Sequence, residues 1–217
     1  MQSGKSVLQV CETFTSIQGE GSHAGLPCFF IRLSGCNLRC SYCDTTFAYE
    51  GGFRLSVEEL VCRWQKSNVR YVLITGGEPL LQRPVYELME LLLFKGAKCI
   101  LETNGSVSLS SVPKRVVKVV DWKTPGSGYG DSFLEENLRF IGSRDEIKFV
   151  ITSYADYIWS AEIVRSRSLW LFTSVIFSPC YGLVKPSRLA RWLLRDNLEA
   201  RLQIQLHKVI WGEKRGV

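Results

Sequence analysis

Phe29-Phe-Ile-Arg-Leu-Ser-Gly-Cys-Asn-Leu-Arg-Cys-Ser-Tyr-Cys43 runs from a short apolar segment straight into three cysteines, Cys36, Cys40 and Cys43. The apolar run reads as a strand, and Gly35 and Asn37 just after it carry turn chemistry. Three thiols within eight residues of one loop suit a metal centre better than unrelated core or surface cysteines do. A closed tetrahedral zinc site takes four ligands, and no second Cys-x-x-Cys or His-x-x-x-His follows at zinc-finger distance. The set leaves one coordination position open, which points to an iron–sulfur cluster.

Outward from this loop, strands and helices alternate. A strand is expected at 8–18, running into the turn cluster Gly19-Glu-Gly-Ser22, and the next at 28–33. Ser56-Val-Glu-Glu59 is a capping box, and Val57, Leu60, Val61 and Trp64 recur at helical spacing, so a helix is predicted over 57–67. A strand at 69–74 ends in Thr75-Gly-Gly-Glu-Pro79; Pro84 opens a helix at 84–95, which Gly96 closes. The rhythm continues with strands at 97–102, 115–120, 146–151, 169–177 and 202–206, and helices near 132–141, 155–166 and 187–195.

Such alternation implies parallel pairing with right-handed crossovers, hence an α/β fold. Seven or so strands with helices outside favour an incomplete (β/α) barrel of parallel strands over a flat doubly wound sheet. The polar or turn-rich runs 36–45, 76–79, 102–105, 121–123, 178–182 and 207–208 each follow a predicted strand. In a parallel barrel they gather on one face, and a single active site is expected there.

A chain of 217 residues with 46% hydrophobic content fits one domain spanning 1–217 and excludes a disordered chain. No apolar stretch reaches membrane-spanning length, and the opening residues 1–5 lead into no signal-peptide core, so a soluble, cytoplasmic protein without membrane association is expected. Cys11, Cys28, Cys62, Cys99 and Cys180 are scattered in apolar runs and read as reduced core thiols. The formal charge of +6 is dispersed, without the arginine–lysine block of a nucleic-acid binder, and a small anionic substrate suits it equally well.

The spacing Cys-x-x-x-Cys-x-x-Cys, with Gly76-Gly-Glu-Pro79 one strand later, resembles the radical S-adenosylmethionine superfamily. In that superfamily three cysteines hold a [4Fe-4S] cluster, S-adenosylmethionine chelates the fourth iron, and a 5′-deoxyadenosyl radical results. Glu12-x-Phe-x-Ser-Ile-Gln-Gly-Glu-Gly21, Cys43-Asp-Thr45 and Gln205-Leu-His-Lys-x-Ile-Trp-Gly-x-Lys-Arg-Gly-Val217 are similar to the 7-carboxy-7-deazaguanine synthase family of queuosine biosynthesis, a likeness covering nearly the whole chain.

The resemblance implies conversion of 6-carboxy-5,6,7,8-tetrahydropterin to 7-carboxy-7-deazaguanine with loss of ammonia, an electron donor such as flavodoxin, and a homodimer. It places Ile17, Gln18, Gly19, Arg32, Thr75 and the terminal Val217 on the pterin. Tyr42, Cys43, Asp44, Gly77, Asp121, Trp122, Lys123, Ser178, Pro179, Cys180 and Tyr181 are placed at the cofactor, with residues 102–105 facing its ribose. The Glu78 carboxylate and nearby carbonyls suit the cofactor's ammonium group. Thr45 matches a Mg²⁺ ligand, one protein oxygen being enough where water and a substrate carboxylate complete the shell.

Apart from the resemblance, Arg32 inside an apolar strand either faces outward or meets an anion. His23 reads as a loop residue, and His207 as a group facing the site or making a structural hydrogen bond. Residues 212–217 are long enough, at roughly 20 Å extended, to return across a barrel mouth. Two other readings compete: a glycyl-radical-enzyme activase, which shares the cysteine triad and the Gly-Gly-Glu-Pro turn, and a non-catalytic metal–cysteine module that binds RNA.

Overall fold

The structure, a computed structural model, describes residues 6–217. The signal-peptide expectation for residues 1–5 lies outside the described residues. In chain order the elements are β1 (Val7–Ile17), β2 (Pro27–Leu33), β3 (Phe53–Ser56), α1 (Val57–Ser67), β4 (Tyr71–Gly76), α2 (Pro84–Phe94), β5 (Lys98–Thr103), β6 (Val117–Asp121), β7 (Glu146–Ile151), α3 (Tyr154–Ser166), β8 (Ser174–Pro179), α4 (Pro186–Asp196), β9 (Arg201–Leu202) and α5 (Leu206–Trp211). They build one sheet in the order β3-β1-β2-β4-β5-β6-β7-β8-β9. From β2 to β9 every pairing is parallel, as the alternation predicts.

The sheet curls into an incomplete barrel, and the alternation along each strand sorts its two faces. Ile31, Val72, Ile74, Leu101, Val120 and Ile147 join the large core under the helices. Their neighbours Phe30, Leu73, Ile100 and Val119 form a small apolar plug inside the barrel, together with Cys28. One step further toward the strands' C-terminal ends, the inward positions become Arg32, Thr75, Glu102, Asp121 and Lys148, all of which line a cavity. The gap between the first and last strands is bridged by the turn after β1. There Gly21 donates its N–H to Gln203 Oε1 at 2.6 Å, and Gln203 Nε2 donates back to Gly21 O at 2.9 Å.

Local signals set several elements closely. Helix α1 begins where the capping box places it: Ser56 Oγ accepts from Glu59 N, and Glu59 Oε2 accepts from Ser56 N. Other expectations need correction. Strands β1, β2 and β3 pair antiparallel, and β3 is a four-residue edge strand too short to show alternation in sequence. The helix expected at 132–141 is a 3-10 segment, Glu135–Phe140. Its buried Asn137 donates to the carbonyls of Gly105 and Val107 and accepts from Leu109 N, so it fastens the connection after β5. The strand expected from 169 starts at Ser174, because Leu169–Leu171 make a 3-10 turn entered through Ser168 at φ 48°. The last strand keeps only Arg201–Leu202, and helix α5 follows it.

Candidate active site

The three cysteines lie on the loop that leaves β2 at the C-terminal face of the barrel, and all three line a cavity of about 790 Å³. The loop is tied down at its start. Gly35 N donates to Ala48 O at 2.8 Å, Glu78 N donates to Gly35 O at 2.7 Å, and Asn104 Nδ2 donates to Asn37 Oδ1 at 3.1 Å. Gly77 lies so close beneath that a Cβ there would stand 2.1 Å from Gly35 O. The side chain of Arg39 folds back over the Tyr49 ring at 4.2 Å and donates to Cys36 O.

Burial pushes the Cys36 and Cys40 thiols up, and the nearby Lys123 ammonium partly offsets this. Among the described residues no three His, Cys, Asp or Glu side chains close on a single metal ion. Three soft donors on one loop, facing open space rather than a fourth ligand, fit the wider footprint of an iron–sulfur cluster.

Below the cysteines lies a layer of buried charge. Lys148 Nζ on β7 is 2.6 Å from Glu20 Oε2 and 3.5 Å from Asp121 Oδ2, and Lys123 Nζ is 2.9 Å from the same Asp121 oxygen. Burial opposes ionisation of Glu20 and Asp121, yet Lys148 holds Glu20, and Lys123 with Lys148 holds Asp121, below their ordinary values. The carboxylates in turn raise Lys148 well above its usual range, against the effect of burial. Glu102 differs: burial lifts it, and its two oxygens accept from Thr75 Oγ1 at 2.9 Å and Gln18 Nε2 at 3.4 Å. Arg32 pairs with Glu12 at 2.8 Å across the β1–β2 register, so it faces the cavity and an anion rather than solvent.

The chain end covers the mouth. Leu206 N donates to Gly19 O at 3.0 Å, and His207 packs so closely that a Cβ on Gly19 would sit 2.0 Å from Nδ1. Burial lowers the His207 pKa. Lys208 reaches Asp44 at 3.2 Å, Arg215 lies 3.4 Å over the Phe47 ring, and Gly216 and Val217 line the cavity.

Of the residues singled out from sequence, Ile17, Gln18, Gly19, Arg32, Thr75 and Val217 line this cavity, as do Tyr42, Cys43, Asp44, Thr45, Gly77, Asp121, Lys123 and Ser178 to Tyr181. Trp122 does not. Between the inward Asp121 and Lys123 its side chain points into the helix-side core, stacked on Phe133 with ring centroids 3.8 Å apart. Glu78 also departs from expectation: fully buried, it turns away from the cavity and accepts from Leu80 N, Thr103 Oγ1 and Asn104 N. Its carboxylate joins two loops and does not present itself to an ammonium group.

Sequence reasoning passed over Lys148, the carboxylate of Glu20, and Gln205, whose Nε2 donates to Glu20 Oε1 at 2.8 Å in the cavity wall. The signal was present for the first, since Glu146 and Lys148 alternate with Ile147 and Phe149 and so place charge on one strand face. Among the scattered thiols, Cys28 and Cys99 are buried and pushed up to about 12 by burial, whereas Cys62 is exposed and Cys11 half-buried. Cys180 is buried at the cavity wall. His23 sits in the turn, with its ring 5.5 Å from that of Tyr71.

Residues 30–120 match the family model of the radical SAM superfamily. The chain is 45% identical to 7-carboxy-7-deazaguanine synthase of Koribacter versatilis, over 97% of this chain and 100% of that one. It is 40% identical to the enzyme of that name from Chlorobaculum tepidum, over 99% of this chain and 100% of that one. Among solved structures, QueE from Escherichia coli superposes with a TM-score of 0.79 at 24% identity, over 94% of this chain and 96% of that one. The likeness in fold extends to Streptococcus suis SuiB bound to its precursor peptide, at a TM-score of 0.59 and 15% identity, over 81% of this chain and 48% of that one.

Proposed function

The chain belongs to the 7-carboxy-7-deazaguanine synthase family of radical S-adenosylmethionine enzymes, and from that premise we propose that it converts 6-carboxy-5,6,7,8-tetrahydropterin to 7-carboxy-7-deazaguanine with release of ammonia. The observation that carries this reading is one cavity in which the cysteine loop faces a layer of buried, paired charge under the chain terminus. Bound at Cys36, Cys40 and Cys43, a [4Fe-4S] cluster with S-adenosylmethionine supplies hydrogen-atom abstraction. Tyr42, Asp44, Gly77, Asp121, Lys123 and residues 178–181 are proposed to hold the cofactor. Backbone at Gly76 and Gly77, not the Glu78 carboxylate, then meets its ammonium group.

The chain's own residues orient and shield the pterin. Arg32, held by Glu12 through Nε, offers its terminal nitrogens to the pterin's carboxylate or ring edge. Gln18, Thr75 and Glu102 present acceptors to ring N–H groups and donors to the ring's carbonyl and bare nitrogens, and Ile17 and Gly19 bound the pocket. His207, Lys208 and residues 211–217 exclude water above it.

Thr45 is the proposed protein ligand of Mg²⁺. Its hydroxyl donates to Asp44 Oδ1 at 2.9 Å, which leaves the oxygen lone pairs free on the cavity side. An electron donor such as flavodoxin, a homodimer and a cytoplasmic setting complete the proposal, the last supported by eight free thiols without a disulfide among the described residues. A glycyl-radical activase has to admit a polypeptide, whereas here residues 18–20 and 211–217 all line the cavity. Anaerobic reconstitution followed by turnover of the carboxytetrahydropterin, read by product mass, tests the reading; an iron-loaded protein that leaves the pterin intact refutes it.

A further inference from the structure

The cysteine loop has a second anchorage, between its second and third cysteines, that no part of the proposed chemistry uses. Ser41 N donates to Ser127 O at 3.1 Å, and Ser41 Oγ donates to Gly126 O at 2.7 Å. We infer that Ser41 is a positioning residue that sets the spacing of Cys40 and Cys43 by clipping them to these two carbonyls, which helix α3 holds in place. The inference rests on the reading of those cysteines as cluster ligands.

The carbonyls are fixed from behind. Asp156, in the first turn of α3 and 2% exposed, accepts from Gly126 N at 2.8 Å and from Thr152 N at 3.1 Å, and it also accepts from the Thr152 hydroxyl. Ser127 Oγ donates to Thr124 O at 2.6 Å, and Thr124 Oγ1 donates to Val150 O at 3.1 Å. Thr124 and Ser127 are essentially without exposure. In a dry setting each of these groups is held to its partner, because a buried donor or acceptor left unmade is costly.

The segment 124–127 is therefore rigid, and its output is a pair of acceptors aimed at an otherwise exposed serine. Gly126 is required by space: a Cβ there would lie 2.2 Å from Thr152 Oγ1 and 2.4 Å from Asp156 Oδ2, both already engaged. With Asn37, next to Cys36, tied to Asn104, the loop is gripped once in each of the two gaps between its cysteines. Rigid support of this kind holds ligands at a fixed separation before the cluster arrives.

The test is the rate at which reconstituted protein loses its cluster to an iron chelator under anaerobic conditions, with the reduced-cluster EPR spectrum alongside. Ser41→Ala is expected to lose iron about two- to tenfold faster than wild type, the range for one net hydrogen bond. Ser41→Thr, which keeps the hydroxyl, should restore the wild-type rate, and Gly126→Ala should exceed the Ser41→Ala effect. Asp145→Asn, which breaks the buried Lys118 pair away from the loop, serves as a control that weakens the fold without touching the clip. Equal loss rates for Ser41→Ala and wild type overturn the inference, as does faster loss in Asp145→Asn by the same factor. A wild-type protein that takes up no cluster would refute the functional reading instead.

Discussion

Replacing Glu78 by glutamine separates a carboxylate that ties loops together from one that receives a ligand. Glu78 Oε1 accepts from Leu80 N at 3.0 Å and Thr103 Oγ1 at 2.8 Å, and Oε2 accepts from Asn104 N at 2.7 Å. Burial lifts its pKa, and those three donors pull the other way. An amide of the same shape has one oxygen, so whichever way it is turned a backbone N–H, of Leu80 or of Asn104, faces an NH₂ group. One orphaned buried donor costs about 1–3 kcal/mol, which lowers the melting temperature by roughly 2–4 °C per kcal/mol in a chain of this size. Thermal and urea unfolding of the cluster-free protein is the right assay, because no cofactor then contributes. Unchanged stability in Glu78→Gln, together with weakened S-adenosylmethionine binding in the loaded protein, would refute the loop-tying role and restore the carboxylate as a ligand.

Cys36→Ala, Cys40→Ala and Cys43→Ala are each expected to abolish cluster occupancy, measured as iron and sulfide per chain, whereas alanine at Cys11, Cys28, Cys62, Cys99 or Cys180 leaves it intact. Lys148→Met leaves Glu20 without its cation, while Asp121 keeps Lys123, and should cost about 3 kcal/mol, the lower end for a broken buried pair because the cavity admits water. The two carboxyls titrate below their ordinary 4.5 and 3.8, so what they contribute is present above those values and lost as pH falls through the folded ones. The stability gap between wild type and Lys148→Met in urea should accordingly be largest at neutral pH and above, and shrink as the pH falls and Glu20 takes up a proton, first in the variant, where burial acts on it unopposed by Lys148. Removing Gly216-Val217 should raise the KM for the pterin by about tenfold or more while cluster content and melting temperature hold, since a donor left unpaired in the pocket costs about 1–3 kcal/mol; equal kcat/KM means the tail lies outside the site. Magnesium should raise turnover in wild type and less so in Thr45→Ala, and superimposable Mg²⁺ titrations would reduce Thr45 to a loop cap.

What could be read along the chain was what short-range chemistry decides. The capping box of Ser56 and Glu59 spans one helical turn and placed α1 to the residue. Three cysteines in one loop declared a metal centre wherever the loop folded, and strand–helix alternation was enough for the parallel part of the sheet. Pairings between distant residues were settled only in three dimensions. Lys148 meets Glu20 across 128 positions because β7 and the turn after β1 face the same interior, and no local pattern encodes that. The antiparallel β3–β1–β2 edge, the turn of Glu78 away from the cavity, the outward turn of Trp122 and the clip on Ser41 likewise depend on strand register and on loops closing over one another. Local hydrogen bonds form within a few residues and leave a mark in the sequence; the charged layer under the cysteines exists only once the barrel has curled and brought its strand ends together.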